Sequence, residues 1–255
     1  MAKLNQKTSA NLYIFTLLML VGITTATFYI TSAPFRLKRF HYAGFGIPMP
    51  SNYSIHGIDV SHYQSNINWQ DVKQMEYKHI KIGFCFIKAT EGTDKVDNNY
   101  INNWYQAKQA EIPIGAYHFF YAGISAKLQA ENFIAIVNLE KNDLPPVLDV
   151  EQANDVSNDK LLQSIQDWLD AVEQAYQVKP IIYTNIDFYN AYLLDKFDNY
   201  PLWIANYFDT DSPAINRNWT FWQHSESGHV NGIDGYVDFN VFSGDSSAFA
   251  SLLIK

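Results

Sequence analysis

Between Ile55 and Phe242 short apolar runs alternate with longer polar–apolar stretches, and that alternation narrows the fold more than any other feature of the chain. Short apolar runs bounded by turn residues read as buried strands. They are Ile55–Val60, Phe84–Lys88, Ile114–Phe119, Pro146–Glu151, Lys179–Thr184, Leu202–Ala205, Thr220–His224 and Tyr236–Phe242. Leu161, Leu162, Ile165, Trp168, Leu169, Val172 and Tyr176 recur at helical spacing and predict a helix over Asp159–Gln177, capped by Ser157 or Asn158. Asn98–Ala110 and Ser125–Asn138 carry weaker versions of the same pattern. Strands alternating with helices imply a parallel sheet, and eight strands suit closure into a barrel. About 200 residues is short for a full eight-helix barrel, and the last runs have no helical pattern between them. The expected fold class is therefore α/β, an irregular TIM-like barrel of (β/α)5 followed by about three further strands.

The first 54 residues follow different rules. No charged side chain occurs from Thr8 to Phe35, and Leu12–Ile30 is mostly apolar. As a helix that stretch would be roughly 28 Å long, close to the hydrocarbon thickness of a bilayer. Lys3 and Lys7 precede it, as in the basic region of an export signal. The small-residue site Thr31-Ser32-Ala33 runs into Pro34, which disfavours cleavage. Residues 1–33 accordingly read as an apolar helix, a retained signal anchor or else a cleaved signal peptide. Residues 34–54, with Gly44, Gly46, Pro48 and Pro50, read as a tether, and residues 55–255 as the barrel. Arg36, Lys38 and Arg39 pull against an N-terminus-inside topology. The expected location is nevertheless on the membrane with the barrel outside the cytoplasm, or secreted if the segment is cleaved.

Charge excludes one large class of partner. Of 18 basic side chains five lie before residue 55, whereas all 26 acidic ones lie after it. A body this acidic lacks the Lys and Arg clusters that phosphate backbones require, so no nucleic-acid partner is expected. The single cysteine, Cys85, lies in an apolar run and reads as a core residue. No intramolecular disulfide can form, and a Cys-rich zinc site is excluded. His62 and His118 belong to no His-x-x-x-His or His-Glu-x-x-His run, so no metal and no cofactor are expected.

Carboxylates sit where the strands end. The fourth run reads Pro146-Val147-Leu148-Asp149-Val150-Glu151. Residues two apart on a strand share a face, so Asp149 and Glu151 project together. Two acids on one face of a buried strand are costly unless they serve a purpose, and close carboxyls split their pKa values so that one keeps its proton near neutrality. That is the equipment of acid-catalysed glycoside cleavage. Asp59, Glu91 and Asp238 end or follow other runs. Tyr117, Tyr183, Trp203 and Tyr207 lie at or near strand ends, where a sugar face can stack, and Tyr63 follows the first strand. Gln223 is placed to hydrogen-bond sugar or to line the barrel, whereas Trp69, Trp104 and Trp168 read as core.

Eight motifs then appear in order: Gly57-Ile58-Asp59-Val60-Ser61, Phe86-Ile87-Lys88-Ala89-Thr90-Glu91-Gly92, Gly115-Ala116-Tyr117-His118-Phe119, Leu148-Asp149-Val150-Glu151, Ile182-Tyr183-Thr184, Leu202-Trp203-Ile204-Ala205-Asn206-Tyr207, Trp222-Gln223 and Val237-Asp238-Phe239-Asn240. In these the chain resembles the glycoside hydrolase family 25 lysozymes, the muramidases of the Chalaropsis type, over about Ile55–Phe242. The resemblance implies hydrolysis of the β-1,4 bond between N-acetylmuramic acid and N-acetylglucosamine in peptidoglycan. It also implies roles: Glu151 as general acid, Asp149 orienting the substrate's 2-acetamido group, and Asp59 and Asp238 completing the acidic floor. Tyr63, Glu91, Tyr117, Tyr183, Trp203, Tyr207 and Gln223 would bind substrate. The expected partners are peptidoglycan strands and, through the apolar helix, the membrane, with the protein a monomer. Two alternatives stay open at this point: a non-catalytic wall-binding module, and a glycosidase acting on other N-acetylglucosamine polymers.

Overall fold

The computed structural model describes residues 41–255. Eight strands close into a barrel in chain order: β1 (His56–Val60), β2 (Ile80–Glu91), β3 (Ile114–Phe119), β4 (Val147–Asp149), β5 (Ile181–Asn185), β6 (Leu202–Ala205), β7 (Phe221–Gly228) and β8 (Val237–Phe242). Neighbours from β1 through β7 are parallel. β8 runs antiparallel to both β7 and β1 and seals the ring. Helices α1 (Trp69–Gln74), α2 (Tyr100–Gln109), α3 (Ala126–Ile136) and α4 (Asn158–Tyr176) follow β1 to β4, and short helical turns over residues 186–193 follow β5. β6, β7 and β8 succeed one another without a helix, and α5 (Ser246–Leu252) ends the fold. Ser157 rather than Asn158 caps α4, its hydroxyl accepting from the Lys160 N–H at 3.4 Å.

Two strands differ from the apolar runs that announced them. β2 begins at Ile80 rather than Phe84, because Ile80 and Lys81 pair with the short strand Glu76–Tyr77 in a hairpin. The β4 ladder stops at Asp149 rather than Glu151. The Val150 N–H still donates to the Tyr183 carbonyl at 3.0 Å, so the alternation of sides continues to Glu151.

Alternate strand residues divide into two apolar clusters. Cys85, Ile87, Leu148, Val150, Ile182, Ile204 and Trp222 pack outward with the helices. Phe84, Phe86, Val147, Ile181, Phe221 and Phe242 pack together in the second cluster, inside the barrel. Phe249 of α5 closes this end, its ring 5.8 Å from Phe84 and 5.2 Å from Phe242. Gly57 and Gly115 belong to the same inner layer and leave it room. A Cβ on Gly57 would lie 2.5 Å from the Phe84 ring, and one on Gly115 2.6 Å from Phe86. Two residues further along the same strands stand Asp59, Lys88, Tyr117, Asp149, Tyr183 and Gln223, and all six line the barrel's open mouth. A phenylalanine plug below and a polar layer above are thus consecutive rungs of one period-two pattern.

Residues 41–54 are not a free tether. Where β7, β8 and β1 lack a covering helix, the segment 42–53 lies along their outer face. Phe45 is fully buried, 5.1 Å from the Phe239 ring and 6.0 Å from Tyr77. The His229 N–H donates to the Phe45 carbonyl at 2.8 Å, and Tyr53 packs on Trp219 and Trp222. An apolar sheet face must be covered by something, and here a strap supplies what a helix supplies elsewhere. The apolar stretch Leu12–Ile30, and with it the anchor or signal reading of residues 1–33, lies outside the described residues. Among the described residues no helix is long and apolar enough to cross a membrane.

Candidate active site

The open end of the barrel holds a cavity of about 320 Å³. Asp59, Asp149, Glu151 and Asp238 line it, with Tyr63, Tyr117, Tyr183, Trp203, Tyr207 and Gln223 around them. Asp59 and Asp238 face each other across the β1–β8 pair, which places two acids side by side by backbone register alone. Asp149 ends β4, and Glu151 follows it on the same side. The Asn185 amide at the end of β5 donates to Glu151 Oε2 at 3.2 Å.

The hydrogen bonds around Asp59 run in one direction. Tyr183 and Tyr207 hydroxyls both donate to Gln223 Oε1, at 2.9 and 2.5 Å. Gln223 Nε2 then donates to Asp59 Oδ2 at 2.8 Å. On the other side the Trp203 indole N–H donates to Asn240 Oδ1 at 2.7 Å, and Asn240 Nδ2 donates to the same Asp59 oxygen at 2.7 Å. With two amide donors on it, Asp59 Oδ2 can only accept. The hydrogen bond between the two acids lowers Asp59 and raises Asp238, so the proton they share sits on Asp238.

Burial drives the acids toward their protonated forms. Asp59 is raised by burial, pulled back by its bonds to Asn240, Gln223 and Asp238, and settles at about 6. Asp238 is raised by burial, by the charges of Asp59 and Glu226, and by its hydrogen bond to Asp59, to about 9. Asp149 stands well above the carboxylate range through burial, the charge of Glu151 and its hydrogen bond with Glu151, with Lys88 opposing. One oxygen of this carboxyl, Oδ1, is buried without a hydrogen-bond partner.

A raised carboxyl pKa favours folding while the group keeps its proton, and that stability is lost as pH rises through the folded value. Buried histidines act in the opposite sense. Burial lowers His118 to about 4 and His224 to about 3, so their contribution is complete above the ordinary imidazole value and lost as pH falls. Above about pH 7 the histidines are neutral in both states, and only the raised acids remain. Stability is expected to fall from there toward pH 9, by up to about 1.4 kcal/mol per pH unit for each proton released. Asp238→Asn should flatten the decline, as thermal unfolding at both ends of that window would register. An equally steep decline in the variant would place its source elsewhere.

Glu91, expected among the substrate-binding residues, does not line the cavity. Its carboxylate turns to Lys88 at 2.7 Å, to the Tyr121 hydroxyl at 2.7 Å and to Lys95 at 3.1 Å. Burial alone would raise its pKa, but these three bonds bring it down to about 2. Lys88 lines the cavity instead, with Nζ 4.8 Å from the Phe119 ring centroid. Trp203 lines the cavity too, but its ring stacks on Phe86 at 4.5 Å and meets Tyr183 at 4.5 Å, so it positions Asn240 more than it offers a face to a sugar. Tyr63 is the most open of the predicted aromatics, at 81% exposure. Lys88, Glu226, Asn185 and Asn240 were not singled out from the sequence. Three of them were within reach of the period-two rule: Lys88 follows Phe86, Asn185 follows Tyr183 and Asn240 follows Asp238, each by two residues. Among the described residues no group of three or more His, Cys, Asp or Glu side chains is placed to hold a metal ion.

A closed α/β barrel with clustered, partly protonated carboxylates at its mouth and tyrosines around them is the scaffold of a glycosidase. The profile of the glycosyl hydrolases family 25 matches residues 58–233, and the chain belongs to this family. It is 40% identical over 226 residues to the uncharacterized protein YegX of Escherichia coli (strain K12), covering 86% of this chain and 83% of the relative. It is 31% identical over 215 residues to lysozyme M1 of Streptomyces globisporus, covering 78% and 71%. Its structure resembles that of a family 25 glycosyl hydrolase from Bacillus anthracis with a TM-score of 0.74 at 30% identity, over 84% of this chain and 100% of the other.

Proposed function

We propose that the chain is a muramidase that hydrolyses the β-1,4 bond between N-acetylmuramic acid and N-acetylglucosamine in peptidoglycan, with Glu151 as general acid and Asp149 as the group that orients the 2-acetamido side chain. One observation carries this reading. Asp149 and Glu151 are hydrogen-bonded neighbours at the cavity, and Asp149 keeps a buried oxygen with no partner. An acetamido N–H is a donor of the right kind for the Asp149 carboxyl where it lines the cavity. Its arrival stabilises the Asp149 carboxylate, and the proton passes along the existing hydrogen bond to Glu151.

The chemistry then follows in balance. Glu151 gives its proton to the glycosidic oxygen as the bond to the anomeric carbon breaks. The acetamido carbonyl oxygen bonds to that carbon from the other side, and the positive charge on the resulting ring is met by the Asp149 carboxylate. Water then opens the ring, returning its proton to Glu151. Such substrate-assisted hydrolysis is an established exception to the two-carboxylate scheme. Asp59 and Asp238, bridged by one proton, add only one negative charge to the floor, which limits repulsion of the ionised Asp149.

The full chain, incubated with purified peptidoglycan, is expected to release fragments with muramic acid at the reducing end. Reducing-end N-acetylglucosamine would overturn the bond assignment and keep the glycosidase. Release of nothing, with the protein sedimenting on the wall, would replace the enzyme by a binding module. The same proposal places the barrel outside the cytoplasm, held at the membrane by Leu12–Ile30. The uncharged length of that segment and the basic residues flanking it support this placement.

A further inference from the structure

We propose that the open face of Tyr236 is a second carbohydrate subsite, outside the catalytic cavity, which stacks against a further sugar ring of the bound glycan. The inference rests on the glycosidase reading above.

Tyr236 is 63% exposed, yet its ring is held in place. One face lies on His229, with centroids 5.0 Å apart and planes at 28°. The other face of His229 lies on Tyr42 of the strap, at 4.4 Å and 14°. The pile is tied down at each level. His229 Nδ1 donates to the Gly235 carbonyl at 3.0 Å, and the His229 N–H to the Phe45 carbonyl at 2.8 Å. The Tyr42 N–H donates to Asn231 Oδ1 at 2.6 Å. Three rings are thus stacked outward from the barrel wall, and the outermost buries only one side.

An exposed aromatic ring is ordinarily free to reorient, and ordering it costs entropy. Here the stack on His229 holds the ring before any ligand arrives, which lowers that cost of binding. The ring is also close to the chemistry. Gln64, which lines the cavity, donates to the Tyr236 carbonyl at 3.2 Å, and Asp238 of the acidic floor lies two residues further on. A neutral pyranose ring, with its apolar C–H face and its link to the sugar already in the cavity, fits a flat, fixed and uncharged platform.

The test uses the full chain carrying Glu151→Gln, which retains the cavity without turnover. Its affinity for alternating N-acetylglucosamine–N-acetylmuramic acid oligomers of two and of eight sugars is measured by calorimetry. The longer oligomer is expected to bind more tightly. Adding Tyr236→Ala should weaken the eight-sugar ligand about 3- to 10-fold while sparing the two-sugar one, and Tyr236→Phe should restore the difference. The thermal midpoint of each variant checks that the fold is intact, and Tyr236→Gln serves in place of the Ala variant should that one unfold. The subsite is overturned if length brings no gain, if the gain survives removal of the ring, or if both ligands weaken equally, which would place the effect in the cavity through Gln64. If native chain hydrolyses no glycan and the Glu151→Gln chain binds none, the glycosidase reading itself falls, and this inference with it.

Discussion

Glu151→Gln should lower kcat on peptidoglycan by about 10²–10⁴-fold, the range that one positioned proton donor contributes, and leave KM close to the native value. The amide has the shape of the acid, and its oxygen can still accept from Asn185, which holds the native carboxylate at 3.2 Å. What it lacks is a proton to give to the departing oxygen. Loss confined to kcat marks an interaction made in the transition state and not in the ground state. On the proposed mechanism the neighbouring acid does not substitute for it, because Asp149 is engaged: its proton is the one the pair shares, and its carboxylate is needed against the acetamido group. Steady-state rates on purified peptidoglycan decide the matter. A variant retaining more than a tenth of native kcat would assign the acid elsewhere in the cluster.

The acids were legible because the barrel forces a simple rule on its strands. Inward and outward residues alternate, so a carboxylate at an inward position near a strand's end can only face the mouth, and Asp59, Asp149 and Glu151 obeyed this from sequence alone. Asp238 did so from the first residues of β8. Glu91 misled because a bulge between Lys88 and Thr90 breaks the alternation while β2 still pairs with β3. Thr90 and Glu91 pair with the short strand Lys95–Val96, which carries Glu91 toward Lys95 and Tyr121. Glu226 had no such periodic signal, since its role depends on which neighbour it meets across the mouth. Trp203 was placed correctly at the cavity, but whether its ring faces were free depended on Phe86 and Tyr183, residues of two other strands. Contacts between strands distant in sequence leave no trace in the sequence around any one of them.

The stretch read as a tether holds the second large effect. Glycines and prolines in 44–50 suggested a flexible spacer, but they shape a strap whose apolar side chains cover β7, β8 and β1. Phe45→Ala should destabilise the fold by about 3–5 kcal/mol, the cost of emptying a fully buried aromatic site. For a domain of this size that is a fall in Tm of about 10 °C. Deleting everything before Ser51 should cost more, because it also removes Ile47 and Met49 from the wall and uncovers Phe239. Set against a total stability of about 5–15 kcal/mol, that loss is a large share of the whole. The result would be informative in its own right. The residues directly following the N-terminal apolar segment would then be the ones that complete the barrel wall and, through Tyr42, the stack under Tyr236. Thermal unfolding of the full chain and its Phe45→Ala variant measures this directly. A midpoint within 2 °C of native would show that the barrel carries its own wall and that the strap only rests on it.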